Sequence, residues 1–170
     1  MKAFVSLACM LSCASSIAAS PVGSEASCYL AGTVTGKLSL RQIDDSLTVE
    51  GTLQNVPVGV HAIHVHEHGK LGNNCLESGG HYNPLGVDHG AKDDKTRHVG
   101  DWGNFNATQE TLRLSITDNV AKLNGEHSIM GRAIVIHEKA DDLGRGGNPA
   151  SKANGNAGAR IACCVIEQAM

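Results

Sequence analysis

A chain of 170 residues, 41% of them hydrophobic, is long enough for one domain with its own core, so it should not need disulfides merely to fold. Aromatics make up 3% of it and glycines number 20, which favours tight turns and small-side-chain packing over a helical bundle. The formal net charge is −3 with no basic tract, which argues against nucleic acid as a partner.

At the N-terminus, Lys2 precedes a short apolar run (3–17) and a small-residue cleavage site near Ala18 and Ala19. Residues 1–19 therefore read as a secretory signal, too short to span a bilayer as a stable helix. No later apolar run reaches membrane-spanning length, so a soluble, secreted, extracellular protein is expected. Residues 20–26 read as a linker and 27–170 as a single domain. Cys9 and Cys13 leave with the signal, while Cys28, Cys75, Cys163 and Cys164 remain. An even number in an oxidising compartment predicts disulfides. The triplet Asn106-Ala107-Thr108 makes Asn106 a glycosylation candidate.

Period-two alternation then recurs along the chain. Leu38 and Leu40 alternate with Lys37, Ser39 and Arg41; Leu47, Val49 and Leu53 with Thr48, Glu50, Thr52 and Gln54; Leu112, Leu114 and Ile116 with Arg113, Ser115 and Thr117. Each run predicts a strand with one face in a core and one in water. Asp44-Asp45, Pro57-Val58-Gly59, Asp118-Asn119 and Asn124-Gly125 supply turns between them. The apolar runs 132–137 and 159–166 read as further strands, and no stretch shows helical periodicity. An antiparallel sandwich or barrel follows. Two segments, 69–96 and 139–158, are far longer than ordinary connections, which makes them functional or disordered.

Residues 64–101 hold most of the chemistry. On a strand His64 and His66 project to one face, whereas His61 has the opposite parity and reads as a core histidine with its hydrogen bonds met. His137 ends another apolar run, which makes a three-nitrogen set with His64 and His66. His81, His89, His98 and Asp101 form a second, His3Asp set suited to zinc. Two neighbouring sites sharing one residue need a side chain with two donor atoms, and an imidazole has two. Three histidines alone also fit a zinc hydrolase or hydratase, although no general base stands out beside them.

The motifs HAIHVHEHG, GGHYNPLGVDHG, RHVGDWGN, GRAIVIHEKADDLGRGGN and GNAGARIACCVI resemble those of the secreted copper/zinc superoxide dismutases, and the likeness covers essentially the whole chain from Cys28. The resemblance implies an all-β, eight-stranded antiparallel Greek-key sandwich or barrel with two long functional loops, one metal-binding and one electrostatic. It implies copper on His64, His66, His81 and His137, and zinc on His81, His89, His98 and Asp101, with His81 shared. Asp141 matches a carboxylate that links His64 to His89, and Arg160 an arginine that docks the anionic substrate, superoxide. Cys75 and Cys163 match a disulfide of the family; Cys28 and Cys164, left on neighbouring strands, are expected to form a second. The implied reaction is disproportionation of superoxide by alternate reduction and reoxidation of copper; the alternative is a copper/zinc-binding module without turnover.

Several residues depart from the family pattern. Asn148-Pro149-Ala150-Ser151, followed by Lys152, stands where many members carry two glutamates, so the channel mouth should be less negative. His68 and Glu167 replace residues suited to an apolar dimer contact, which leaves a homodimer open. Gly80 stands where proline commonly precedes the shared histidine. His127, Trp102 and Met130 read as structural or surface residues, and the sequence names no partner that would deliver copper.

Overall fold

The alternating runs become strands because each can bury every second side chain. A computed structural model describes residues 24–169. The expected signal (1–19), with Cys9 and Cys13, lies outside the described residues, as do residues 20–23. Strand β1 (Ser24–Gly32) begins inside the segment read as a linker, because Ala26, Cys28 and Leu30 already alternate into the core. It is followed by β2 (Thr35–Ile43), β3 (Ser46–Gln54), β4 (Gly59–His66), β5 (Asp101–Ala107), β6 (Leu112–Asp118), β7 (Ala133–His137), β8 (Arg160–Val165) and the two-residue β9 (Glu167–Gln168).

The strands run antiparallel in the order β5-β4-β7-β8-β1-β2-β3-β6, with β9 added beside β1. Strand β3 pairs with β6, so the β4–β5 hairpin that separates them in sequence lies at the far end of the order. This is a Greek-key connection. The β2–β3 hairpin is in register from Thr35↔Gln54 to Ile43↔Ser46, closed by Asp44 at φ 50. Aspartate is one of the few residues that tolerates that left-handed geometry. One core, holding Leu38, Leu47, Leu53, Ile63, Val65, Ile134 and Ile136, fills the space between the two halves of the order.

Two disulfides cross this frame. Cys28–Cys164 joins β1 to β8 inside the core, and Cys75–Cys163 ties the β4–β5 connection to β8. In the chain-entropy account, closing so long a loop as the second stabilises by about 4–5 kcal/mol. The two long segments are ordered connections. The first, 67–100, carries a 3₁₀ turn (Leu76–Ser78); the second, 138–159, carries a short helix, α1 (Pro149–Asn154). Neither showed a helical period, because one or two turns are too short to display one. The Asn148 side chain caps α1 by accepting from Ser151 N, with Pro149 in the first turn.

Candidate metal centre

Strands β4 and β7 supply a rigid floor. They pair from Ile63↔Ile136 to His66↔Ala133, so the parity that sends Ile63 and Val65 into the core sends His64 and His66 to the other face. His137 ends β7. The ladders slip between Ala62 and His64 against β5, and between Ile136 and His137 against β8. Bulges of this kind re-aim side chains beside functional sites. From the long connection, His81 forms a bridge pair with His66, which folds the loop back over the strand end.

His64, His66, His81 and His137 form one buried group of donor atoms, and His81, His89, His98 and Asp101 a second; within each, the atoms lie within 4.8 Å of one another. Which nitrogen faces inward is fixed from outside. His66 Nδ1 donates to Gly79 O at 3.0 Å, His137 Nδ1 to Gly158 O at 3.4 Å, and His98 Nε2 to Val87 O at 3.0 Å. His64 Nε2 and His89 Nε2 donate to the two oxygens of Asp141, at 2.9 and 2.7 Å. Each of these five rings therefore spends its hydrogen outward, and its other nitrogen presents a lone pair to the group. His81 alone turns both nitrogens inward. Its Nδ1 lies 2.9 Å from Asp101 Oδ1, while its Nε2 faces the first group with no hydrogen-bond partner.

These lone pairs call for a cation. His66 Nε2 and His137 Nε2 stand 3.2 Å apart with no hydrogen between them, and His64 Nδ1 is buried without a partner. Left to itself such an arrangement is repulsive and desolvated. Asp101 completes the second group: His98 N and Gly90 N donate to its Oδ2 at 2.7 and 3.1 Å, leaving Oδ1 at 2.9–3.1 Å from the Nδ1 atoms of His81, His89 and His98. Four donors, three nitrogens and one carboxylate oxygen, suit zinc; four nitrogens suit copper or zinc.

Burial pushes the pKa of His64, His66 and His81 down and that of His137 down to about 4, which keeps these rings neutral and able to ligate. Burial acts the same way on His89, but the Asp101 and Asp141 carboxylates outweigh it and raise that ring to about 9, so an ion taking up its inward nitrogen would displace a proton there. Burial opposes ionisation of both carboxylates, yet the histidines around them hold Asp101 and Asp141 below the usual range. This end of the site favours net positive charge, which a divalent ion would supply.

Asp141 is placed by Asn104, whose side chain accepts from Asp141 N at 2.7 Å and donates to Asp141 O at 2.8 Å. The first group opens to a cleft of about 480 Å³ between β7, β8 and the second long connection. Among the described residues lining it, which include Asn154, Asn156 and Gly158, Arg160 carries the only full charge. Its guanidinium donates to Cys75 O, Ser78 Oγ and Gly79 O at 2.6, 2.9 and 2.6 Å. His61 is buried with both nitrogens within hydrogen-bond reach of backbone oxygens, on His137 and Pro57, and belongs to neither group. Trp102 is a core residue, and Met130 packs against the same core.

A profile of the family described as copper/zinc superoxide dismutase matches residues 34–166. The chain belongs to that family. Copper and zinc are the cofactors of these enzymes, and disproportionation of superoxide is their reaction. The chain is 48% identical over 133 residues to the extracellular Cu-Zn superoxide dismutase of Caenorhabditis elegans, covering 77% of this chain and 60% of that protein. It is 48% identical to the extracellular Cu-Zn superoxide dismutase of Haemonchus contortus, again over 77% of this chain, and over 72% of the relative. Among solved structures, the clock protein EA4 superposes with a TM-score of 0.82 at 40% identity, covering 89% of this chain and 99% of that one. Extracellular relatives and two disulfides point to an oxidising compartment for the dismutase. Among the described residues no helix is long and apolar enough to cross a membrane.

Sequence reasoning missed three parts of the centre. Asn104 and Ser78 are ordinary polar residues in the sequence, and only the fold shows what they touch. The carbonyls of Gly79, Val87 and Gly158, which select the ring tautomers, leave no trace in residue identity. The cap of α1 did leave a signal, since asparagine before proline is a helix-start pattern.

Proposed function

We propose that this dismutase disproportionates superoxide with copper on His64, His66, His81 and His137, and zinc on His81, His89, His98 and Asp101. The observation that carries the reading is His81, whose two nitrogens face the two groups. Copper, when bound, supplies a one-electron couple that takes an electron from one superoxide, releasing dioxygen, and returns it to a second, which leaves with two protons as hydrogen peroxide. Arg160, half-buried at the cleft, draws the small anion in and holds it beside the first group. With its lone pair free of an ion, His81 Nε2 would be able to take up a proton and hand it to the departing product. Asp141 holds the tautomers of His64 and His89 together, so the two groups are braced from outside as well as through His81.

A non-catalytic metal-binding module would need the donor groups but not an open cleft with a cation at its end. The cleft and Arg160 favour turnover. Secretion through residues 1–19 and a glycan on Asn106, exposed on β5, belong to the same proposal. So does a homodimer, at whose rim the exposed His68 and Glu167 would have to lie.

The test is a visible and electron-spin-resonance spectrum of the copper- and zinc-loaded protein. A Cu(II) signal that bleaches with superoxide and then returns is expected, and Arg160→Glu should slow that cycle strongly while copper stays bound. A signal inert to superoxide would refute turnover, and loss of copper in the variant would refute the docking role.

A further inference from the structure

The Arg160 guanidinium has five hydrogens to place. Nη1 spends its two on Cys75 O at 2.6 Å and Ser78 Oγ at 2.9 Å, with Leu76 O a longer third neighbour at 3.4 Å. Nη2 spends one on Gly79 O at 2.6 Å. The second Nη2 hydrogen and the Nε hydrogen have no acceptor among the described residues, and Arg160 lines the cleft. Three hydrogens are thus anchored to the 3₁₀ turn and two remain for an anion.

Two of the three anchors are backbone carbonyls, which any sequence would provide. The third is a side chain. Ser78 is fully buried, and its hydroxyl donates to Cys75 O at 2.8 Å. With its own hydrogen spent there, Oγ can only accept from Arg160. Cys75 O, Ser78 Oγ and Nη1 close a three-membered ring of polar contacts beside the Cys75–Cys163 disulfide. Ser78 N also donates to Cys75 O at 3.2 Å, and His68 N to Ser78 O at 3.0 Å, so the turn that carries the hydroxyl is itself fixed.

We propose that Ser78 is a positioning residue for the anion site. By occupying the second Nη1 hydrogen it fixes the side-chain torsions that orient the guanidinium and so keeps the Nε and Nη2 edge towards the cleft. Without the hydroxyl, Nη1 keeps only the longer contact to Leu76 O, at 3.4 Å, for that hydrogen, and the group regains a second orientation in which a hydrogen meant for the anion turns towards the vacated position. The carbonyls alone hold the arginine near the cleft; the hydroxyl selects which edge it shows. The inference rests on the reading of Arg160 as the anion dock.

The probe is azide, titrated into the copper- and zinc-loaded protein and followed by visible absorption, with metal content checked in every variant. Ser78→Ala should weaken azide binding by about three- to tenfold, the range expected for one such hydrogen bond, with both metals retained. In an Arg160→Met background the same Ser78→Ala change should do nothing further. Unchanged azide affinity in Ser78→Ala, or an equal loss in both backgrounds, would overturn the proposal, since a merely structural serine acts regardless of Arg160. Loss of metal in Ser78→Ala would overturn it as well, because the residue would then serve the loop. If Arg160→Met itself leaves azide binding intact, the docking role of Arg160 fails first.

Discussion

Gly155 offers the sharpest test of how the second long connection braces the metal centre. It follows α1 at φ +65, and a Cβ built there would overlap Asp141 Oδ1 and come within 2.7 Å of His89 Nε2. Those two atoms are partners in the hydrogen bond that orients the His89 ring. Gly155→Ala therefore carries two costs, a left-handed backbone of about 1–2 kcal/mol and a displaced charge-assisted hydrogen bond of about 1.5–3 kcal/mol. Together they come to roughly 3–5 kcal/mol. In a domain of this size that lowers Tm by about 10 °C. Gly125 is the matched control: its φ is +76, but no atom lies within 4 Å of the position its Cβ would take. Gly125→Ala should show the backbone cost alone, about 2–8 °C. The assay is thermal unfolding of both metal-loaded variants at one scan rate, with zinc affinity from chelator competition. Zinc affinity should fall about 10- to 100-fold in Gly155→Ala and stay unchanged in Gly125→Ala. Equal Tm losses with unchanged zinc affinity would refute the idea that this glycine exists to let Asp141 and His89 meet.

His81→Ala should remove one donor from each group, altering the Cu(II) electron-spin-resonance spectrum and removing most zinc affinity; unaltered metal content would count against its shared role. Because Arg160 is the one full charge among the described residues lining the cleft, kcat/KM should decline as ionic strength rises from about 0.01 to 0.15 M, where the screening length shrinks from about 30 to 8 Å. A salt-independent rate would mean that delivery owes nothing to that charge. Mass mapping without reductant should find Cys28 bound to Cys164 and Cys75 to Cys163, and a free thiol at Cys164 would contradict the buried pair.

Much of the scaffold was legible because a half-buried strand has to alternate. Leu38 and Leu40, or Leu47, Val49 and Leu53, can face a core only at period two, and they do. Strand parity alone also separates His61 from His64 and His66. It failed at the start of β1, where serines and Glu25 imitate a linker although Ala26 and Cys28 are already buried. The candidate donor residues could be picked out from their types and motif spacing. Which nitrogen of each ring points inward could not, because that choice is made by backbone oxygens at Gly79, Val87 and Gly158 and by a carboxylate contributed from a different loop.

That distribution explains why two unequal kinds of chain meet at one imidazole. Three of the four donors in the first group stand on β4 and β7, neighbouring strands whose side chains are fixed by the core behind them. In the second group, His81, His89 and His98 belong to the long connection, and Asp101 is the first residue of the strand that ends it. If the first group holds the redox ion, as proposed, it needs a geometry that survives a change of ionic charge without large reorganisation, and the sheet would provide that stiffness. A loop-borne set lacks it, and a closed-shell ion with flexible coordination preferences, placed there as proposed, would order the loop without undergoing redox itself. His81 is then the place where loop order is converted into the position of a donor atom on the rigid side, and Asp141 repeats the connection from the second loop. Losing order in either loop therefore reaches the sheet-borne group, although neither loop forms its floor.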